Sequence, residues 1–316
     1  MTTNPKHIIL GAGGAIGNVL KNELAAAGNS VKLVSRKAAP VKGIETAKAD
    51  VTKVSEVMSV VEDLSIIYLL VGLPYNLSIW QEQWPKIMNN VIEACETRRA
   101  RLIFFDNVYM YGLVNGEMTE ETAINPCSKK GEIRASIAEK LITQAKSGNI
   151  TALIARAADF YGPFAEKSSL PYFFVIDKLA KGKKAQGLVN LDKLHSYTYT
   201  TDCGKALHLL AKTDDAFKQV WHLPTARPPL TGKQFIKIAA EKLGVDPSFS
   251  VLKKWLIKMG GIFNRQISEV YEMLYQNEYD YVFNSSKFET RFDFQPTPYD
   301  RGIAETIEHF RSRGAI

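Results

Sequence analysis

Short apolar runs alternate with helical patterns through the first half of the chain. The apolar run 7–10 leads into a glycine-rich turn, after which Ile16, Leu20 and Leu24 recur at helical spacing. A second run, 30–35, follows directly. Further apolar runs, separated by helical patterns, are at 44–47, 65–72, 101–105 and 151–157. This alternation predicts an α/β fold, a Rossmann-like doubly wound parallel sheet whose strands are covered on both faces.

The regular alternation ends after Arg156, where prolines and short segments begin. We therefore predict a sheet domain over 1–160 and a smaller, interleaved C-terminal lobe over 161–316, with later strands near 195–223 returning to the sheet. The predicted helices after the first are at 53–63, 80–98, 132–147, 172–181, 202–212, 231–243, 266–277 and 300–312. The aromatic-rich segment 250–283 could cover a ligand or mediate self-association as a homodimer, and its pattern favours neither.

Composition and charge narrow the classes of function. The 316 residues are 46% hydrophobic and 23% charged, which is typical of a globular protein. The formal charge is +7, but lysines and arginines are scattered among acids, which argues against a nucleic-acid partner. No apolar stretch is long enough for a membrane span and no signal peptide is recognisable, so we expect a cytoplasmic protein without a membrane partner. The three cysteines lie far apart, and no metal site is expected.

The segment GAGGAIG, residues 11–17, separates the first predicted strand from the first predicted helix. Its glycines permit a sharp turn and let a pyrophosphate approach the helix N-terminus, where N–H groups and the helix dipole face the ligand. The segment therefore predicts a dinucleotide site, and the alternative is a turn with a structural role only. The contacts predicted in this turn are Gly11, Gly13, Gly14, Ala15, Ile16 and Gly17.

The end of the second predicted strand indicates which dinucleotide binds. An NAD site carries a carboxylate there for the ribose 2′-OH, whereas this chain has Ser35 and Arg36, which suit a 2′-phosphate. We therefore predict NADP(H) rather than NAD, with 1–160 as the NADP-binding domain, although surface cations would give the same pattern. Asp50 is predicted to accept from the adenine amino group, unless it only shapes a turn. Other predicted cofactor contacts are Val51, Leu70, Val71 and Gly72.

Several segments resemble, in order, one known family. They are GAGGAIG (11–17), ADVT (49–52), IIYLLVG (66–72), DNVYMYG (106–112), ARAADFYGP (155–163) and HSYTYTTDCGKAL (195–207). Together they resemble the extended short-chain dehydrogenase/reductases, the NAD(P)-dependent epimerase/dehydratase family. The resemblance extends to about residue 230, and 295–310 is similar to that family's last helix. It implies a nicotinamide cofactor, a C-terminal lobe that binds substrate, and a small carbonyl, hydroxyl or sugar-nucleotide substrate. It does not specify the reaction.

The catalytic positions of that family are changed in this chain. In the family, a strand-end Ser or Thr polarises the substrate, and a Tyr-x-x-x-Lys pair on the next helix performs acid–base chemistry. Asn107 stands at the position that resembles the Ser. The segment 126–142 has no Tyr-x-x-x-Lys pair, with Gly131 near the tyrosine position and Arg134 or Ala135 near the lysine position. The resemblance thus implies an atypical member of the family.

Three residues are predicted to replace the missing pair. If 105–111 continues as a strand, Tyr109 and Tyr111 point to one face. We predict that Asn107 donates to a substrate carbonyl, that Tyr109 is the proton donor, and that Arg134 holds ribose hydroxyls and lowers the pKa of a nearby tyrosine. The alternative is that these side chains are structural and that Arg134 pairs with a surface carboxylate.

Two functions stay open at this point. The chain is an NADP(H)-dependent oxidoreductase or epimerase-like enzyme, or a non-catalytic NADP(H)-binding redox sensor or regulatory protein, which the missing pair favours. Two histidines, His195 and His222, lack partners at a recognisable spacing and are expected to be structural. Asp202 is expected to cap the helix that begins there.

Overall fold

The computed structural model describes residues 4–316, apart from the side chains at positions 263, 265 and 266. In that range the strands are β1 (His7–Leu10), β2 (Val31–Ser35), β3 (Glu45–Lys48), β4 (Ile66–Leu69), β5 (Arg101–Asp106), β6 (Glu117–Met118), β7 (Thr151–Arg156), β8 (Asp159–Tyr161), β9 (Ala185–Leu188), β10 (Leu194–His195), β11 (Tyr197–Tyr199), β12 (Val220–His222), β13 (Leu230–Thr231), β14 (Phe249–Leu252) and β15 (Val282–Phe283). The helices are α1 (Ala15–Ala26), α2 (Val54–Val60), α3 (Leu77–Arg98), α4 (Lys129–Lys146), α5 (Asp177–Ala180), α6 (Thr200–Ala211), α7 (Gly232–Leu243), α8 (Lys254–Phe263), α9 (Arg265–Tyr271), α10 (Tyr275–Glu278), α11 (Ser286–Phe292) and α12 (Tyr299–Ser312).

A seven-stranded sheet forms the centre of the fold, in the order β12-β7-β5-β4-β1-β2-β3. The pairs β1/β2, β2/β3, β1/β4, β4/β5 and β5/β7 are all parallel. The predicted doubly wound α/β fold is therefore confirmed. From β1 the chain builds outwards through β2 and β3, then returns to β4 on the other side of β1. The switch in direction lies between β1 and β4, where open sheets of this kind bind ligands outside the carboxyl ends of the strands.

The chain divides into two compact units, each made of three segments. The first unit comprises Met1–Asn107, Glu132–Arg156 and Cys203–Trp221, and its described part contains almost all of the seven-stranded sheet. Strands β1 and β4 are buried along their full length, which is why their sequences are apolar without alternation. Helix α6 lies close to α1, because the bare Gly204 allows its backbone to approach Val19.

The second unit comprises Val108–Gly131, Ala157–Asp202 and His222–Ile316. Its strands form two-stranded pairs: β6 with β15, β8 with β11, β9 with β14, and β10 with β13. Aromatic and aliphatic side chains from β8, α7 and α12 form its core, among them Tyr161, Phe235, Ile303 and Phe310. These short pairs rely on that shared core, since an isolated two-stranded sheet is only marginally stable in water.

Several elements differ from the sequence-based expectation. The segment near 195–200, predicted to join the main sheet, instead forms β10 and β11, which pair with β13 and β8. The helix predicted over 266–277 is two shorter helices, and the prediction for 172–181 corresponds to a π-helical turn followed by α5. Periodicity identifies a strand or a helix, but long-range contacts decide which strand it pairs with and where a helix is interrupted.

The aromatic-rich segment that follows α7 forms β14 and the helices α8 to α10. Helices α8 and α9 pack closely, because Gly260 and Gly261 bring α8 against Ile267 and Ser268. Trp255 on α8 is 61% exposed. Both proposed roles for this segment, ligand cover and self-association, stay predictions.

Candidate cofactor and active site

The glycine turn 11–17 connects the end of β1 to the start of α1. The backbone N–H of Gly11 donates to the Val34 carbonyl at 3.0 Å, which ties the turn to the end of β2. Gly14 is the N-cap of α1, and no side chain caps this helix. The N-cap glycine has no side chain to bond the N–H groups of the first turn of α1, which leaves them available to an anion at the carboxyl edge of the sheet.

Two glycines of this turn are needed for the fold itself. Gly11 has φ +92°, and a Cβ there would lie 2.8 Å from the backbone of Leu70 and Val71. A Cβ at Gly17 would lie 2.8 Å from the Ala12 carbonyl oxygen. Gly13 differs from both, because it is exposed and a Cβ there would meet nothing within 4 Å in the part of the chain that the structure describes. Close backbone packing explains why positions 11 and 17 are glycines. At position 13 the missing side chain instead leaves the outer surface of the turn accessible to a ligand.

The predicted contacts at 70–72 follow β4 directly and lie beside this turn. Leu70 donates its backbone N–H to the Leu10 carbonyl at 2.9 Å, which sets the ends of β1 and β4 side by side. Leu70 and Val71 are partly buried and Gly72 is exposed. The structure therefore brings these residues together with the glycine turn at the switch point of the sheet.

The ends of β2 and β3 carry the residues predicted to select the dinucleotide. Ser35 is partly buried and pairs with Lys48 across β2 and β3, and Arg36 is exposed. Asp50 accepts from the backbone N–H and the hydroxyl of Thr52 at 3.0 and 2.8 Å. These two bonds hold the pKa of Asp50 below its usual value, with a smaller contribution from the Arg36 charge. Asp50 is thus a turn residue that keeps a carboxylate near Arg36.

Val51, the last predicted contact in this region, is buried, and its backbone carbonyl accepts from the Asn90 side chain at 3.0 Å. The segment that follows β3 is therefore fixed to α3.

A buried ion pair lies at the carboxyl end of β5. Asp106 is fully buried and accepts from the Nε of Arg134 at 2.7 Å and from its Nη2. The Arg134 guanidinium also stacks 4.3 Å from the Trp84 ring centre. The Nε of Arg156 is 3.6 Å from the second Asp106 oxygen. Two arginines thus flank one buried carboxylate at the edge where β5 and β7 end.

This arrangement bears on the alternative in which Arg134 pairs with a surface carboxylate. The carboxylate that binds it is Asp106, which is buried, and not a surface acid. The backbone N–H of Asn107 donates to the same Asp106 carboxylate at 2.9 Å. Asp106 therefore fixes both predicted residues of the first unit at one strand end, Asn107 through its backbone and Arg134 through its guanidinium.

The strand does not continue through 105–111 as assumed from the sequence. β5 ends at Asp106, and residues 109–111 form a single 3₁₀ turn. Tyr111 is buried and its hydroxyl lies 2.8 Å from the His222 ring, so it is a packing residue, whereas Tyr109 is partly exposed. Gly112 explains the turn: its φ is +65°, and a Cβ there would overlap the Asn125 carbonyl. Tyr109 and Tyr111 therefore do not share one face of a strand.

Gly131, the position near the family tyrosine, has no room for a side chain. A Cβ there would be 2.6 Å from the Tyr109 carbonyl oxygen and 3.0 Å from both Pro126 and Ser128. The backbone of Tyr109 thus occupies the space into which a side chain at 131 would extend.

The second unit contains a polar pair that the sequence did not indicate. His195 Nε2 lies 3.1 Å from Asp159 Oδ2, and His195 Nδ1 lies 3.3 Å from the Gln276 carbonyl oxygen. The partners are 36 and 81 residues away along the chain, so no local spacing could reveal them. Asp159 and His195 both line a cavity of about 60 Å³ within this unit.

Two further expectations concern single side chains. His222, expected to be a core or surface histidine, is buried, and its Nδ1 lies 2.8 Å from the Asn284 carbonyl oxygen. Asp202 lies in the first turn of α6 and accepts from the backbone N–H and hydroxyl of Thr297 at 2.7 and 2.9 Å. Asp202 therefore anchors the segment before α12. A residue that only caps a helix would not make these bonds to Thr297.

Within residues 4–316, no helix is both long enough and apolar enough to cross a bilayer. The same residues contain no group of three or more His, Cys, Asp or Glu side chains placed to hold a metal ion.

Comparisons with known proteins identify the class. The profile of the NAD dependent epimerase/dehydratase family matches residues 7–222, and the chain belongs to this family. The resemblance inferred from the sequence motifs is therefore confirmed. A search among curated proteins found no significant match.

Solved structures with a similar fold include three sugar-nucleotide enzymes. The UDP-glucose 4-epimerase of Thermus thermophilus, in complex with NAD, has 16% sequence identity and a TM-score of 0.79, with 98% of this chain and 100% of that chain covered. The UDP-glucose 4-epimerase of Thermotoga maritima, with UDP-glucose, has 16% identity and a TM-score of 0.80, with coverage of 98% and 99%. The dTDP-glucose 4,6-dehydratase of Bacillus anthracis, in complex with NAD, has 14% identity and a TM-score of 0.80, with coverage of 98% and 97%. At these identities the similarity establishes the fold.

Proposed function

We propose that this chain binds NADP(H) at the glycine turn and acts as an oxidoreductase or epimerase-like enzyme on a small carbonyl or hydroxyl compound. The observation that carries the proposal is the uncapped N-terminus of α1 at the switch point, with Gly13 exposed in front of it. The N–H groups of this turn would hold the diphosphate of the cofactor, and the bound nicotinamide would supply hydride transfer.

The choice between NADP(H) and NAD rests on the end of β2. Ser35 and the exposed Arg36 occupy the position where an NAD site carries a carboxylate, and this supports a 2′-phosphate. The similar epimerase and dehydratase structures were solved in complex with NAD, and this supports NAD. Ser35 and Arg36 are residues of this chain, whereas NAD is bound by other proteins, and we therefore propose NADP(H).

Calorimetric titration of the purified protein with NADPH and with NADH tests this choice. We expect NADPH to bind more tightly, and Arg36→Ala to weaken NADPH by about 10- to 150-fold, because one charged hydrogen bond contributes about 1.5–3 kcal/mol. The affinity for NADH should stay the same. Lys86→Ala, which removes an exposed cation of α3, is the matched control and should change neither affinity. Equal affinities for the two dinucleotides in the unaltered chain would exclude the NADP(H) preference.

For the chemical step we propose Tyr109 as the proton donor and Asn107 as a donor to the substrate carbonyl. Tyr109 is partly exposed, and Asn107 has its backbone fixed at the end of β5. Turnover is measured with a panel of aldehydes, ketones and sugar nucleotides, through the absorbance of the reduced nicotinamide for a net redox reaction and through product analysis for an isomerisation. Tyr109→Phe should lower the rate by roughly 10²-fold or more. Tyr111→Phe removes the same hydroxyl from a buried packing residue and should leave the rate nearly unchanged. Equal rates for Tyr109→Phe and the unaltered chain would exclude this role.

A second candidate function is a non-catalytic protein that senses the redox state of NADP(H). The absence of space for a side chain at Gly131 favours it, because the usual acid–base tyrosine has no place there. This candidate predicts binding of both NADP⁺ and NADPH, a difference in protease sensitivity between the two complexes, and no turnover of any compound in the panel. Turnover of one compound excludes it. Location in the cytoplasm and formation of a homodimer stay predictions from the sequence.

A further inference from the structure

A small cavity in the second unit has an apolar wall and one polar corner. Its apolar lining includes Phe174, Val175, Leu188, Leu191 and Ile236, from the π-helical turn, β9, the loop after it and α7. The cavity volume is about 60 Å³, well below the roughly 300–1,000 Å³ of sites for drug-sized ligands. The size fits the compact end of a small molecule.

Asp159 and His195 form the polar corner, and the amide side chains of Gln186 and Asn277 also belong to the cavity lining. His195 Nε2 lies 3.1 Å from the Asp159 carboxylate, and its Nδ1 lies 3.3 Å from the Gln276 carbonyl oxygen. The contact uses Asp159 Oδ2, and a carboxylate has further lone pairs for a donor from a ligand. The nearby Tyr197 also lines the cavity, and burial raises the pKa of its hydroxyl, so it stays neutral. The corner thus offers a carboxylate acceptor to a ligand.

The charge of the lining discriminates between ligands. None of the described residues that line the cavity is a lysine or an arginine. A phosphate or diphosphate here would find no lysine or arginine to pair with and would lie close to the Asp159 carboxylate, which is unfavourable in a partly buried site. A hydroxyl or ammonium group would instead donate to Asp159, with its carbon skeleton against the apolar wall.

We propose that this cavity binds a small alcohol or amine with an apolar body and that sugar nucleotides are excluded from it. The proposal rests on the proposed function in one respect, since it takes this cavity as the place where the substrate is recognised. This ligand class differs from that of the similar enzymes, one of which was solved with UDP-glucose and another of which is a dTDP-glucose 4,6-dehydratase. Asp159 is then a specificity-determining residue.

Three probes share one branched carbon skeleton and differ in their polar group: isobutylamine, isobutanol and isobutyrate. They test whether the cavity prefers a hydrogen-bond donor to an anion. Their binding to the full chain is measured by saturation-transfer NMR, with and without NADPH. We expect the amine and the alcohol to bind in the millimolar range and isobutyrate to bind at least about tenfold more weakly. UDP-glucose, titrated by calorimetry, should give no binding heat at the same protein concentration.

Two variants assign the effect to the cavity. Asp159→Asn should weaken isobutylamine by about tenfold or more, since a hydrogen bond between charged groups contributes about 1.5–3 kcal/mol, and it should affect isobutanol less. Asp177→Asn, a partly exposed carboxylate on α5 outside the cavity lining, is the matched control and should change neither probe. Val175→Phe should fill the cavity and abolish binding of all three probes. Thermal unfolding of each variant confirms that it is folded.

The outcomes separate this proposal from the proposed function. Isobutyrate binding as tightly as isobutylamine, tight UDP-glucose binding, equal effects of Asp159→Asn and Asp177→Asn, or no binding of the amine and the alcohol would each overturn the cavity assignment. None of these results depends on NADPH binding. Failure of NADPH to bind, with the probe pattern intact, would instead remove the proposed function and leave a small-molecule cavity of the stated chemistry.

Discussion

Replacing Gly13 by alanine separates the ligand-binding role of the glycine turn from its role in the fold. A Cβ at position 13 meets no heavy atom of the described residues within 4 Å, and the φ of Gly13 is not positive. The folded chain therefore accommodates alanine, and the reduced freedom of the unfolded chain adds about 0.4–1 kcal/mol to the free energy of unfolding. The new methyl group nevertheless stands on the open surface before the N-terminus of α1, where the diphosphate is proposed to lie.

The expected loss of affinity follows from that position. A methyl group that displaces the diphosphate from one backbone N–H removes a hydrogen bond to a charged group, about 1.5–3 kcal/mol, which is about 10- to 150-fold in Kd. Calorimetric titration with NADPH measures the affinity, and urea unfolding of the same preparation measures the stability. We expect weaker binding by a protein that is at least as stable as the unaltered chain.

Gly11→Ala is the matched control for a structural glycine in the same turn. Its φ of +92° costs about 1–2 kcal/mol for an alanine. The contact of 2.8 Å with the backbone of Leu70 and Val71 adds about 1–3 kcal/mol of overpacking. We expect the free energy of unfolding to fall by about 2–5 kcal/mol. If Gly13→Ala binds NADPH within about threefold of the unaltered chain, the turn is structural and the reasoning fails.

Three further changes test buried titratable groups. Asp106→Asn removes the carboxylate partner of Arg134, and the free energy of unfolding in urea should fall by about 3–5 kcal/mol, whereas no change would contradict a buried ion pair. Burial lowers the pKa of His7 to about 4, so the unfolded chain binds the proton more tightly; stability is retained above the ordinary pKa of 6.5 and lost as the pH falls towards 4. Between about pH 7 and 5 this loss is about 2 kcal/mol, and His7→Gln should remove it from the pH dependence of urea unfolding. Lys130→Met removes the cation that pairs with Glu269 on α9 and with Glu272, and the loss of these ion pairs should speed proteolysis at α9. Lys129→Met, at an exposed position, should not change the rate of proteolysis.

The sequence predicts the first half of the fold well because its signals are local. β1 and β4 are uninterrupted apolar runs, and they form strands because both of their faces are covered. The glycine turn is also a local signal, since the residues that bend the chain and those that face the ligand are consecutive. For the same reason the pattern in 11–17 predicted the position of the turn at the edge of the sheet.

The remaining features depend on contacts between distant residues. The 3₁₀ turn at 109–111 is fixed by Gly112 packing against the Asn125 carbonyl, which an alternating pattern of side chains cannot show. The Arg134 partner is 28 residues away, and the Asp159–His195 pair spans 36 residues. Arg134, Asp106 and His195 are buried and Asp159 is partly buried, and burial is a property of the tertiary fold.

The order in which the chain is synthesised bears on how the first unit folds. Its last segment, Cys203–Trp221, reaches the ribosome exit after residues 157–202 of the second unit have already emerged. That late segment supplies most of α6, which packs on α1, and most of β12, which covers the outer side of β7. Until it arrives, a nascent chain leaves β7 as a bare sheet edge that can pair with neighbouring polypeptides. Protection of this edge during translation is therefore a requirement that the interleaved topology imposes.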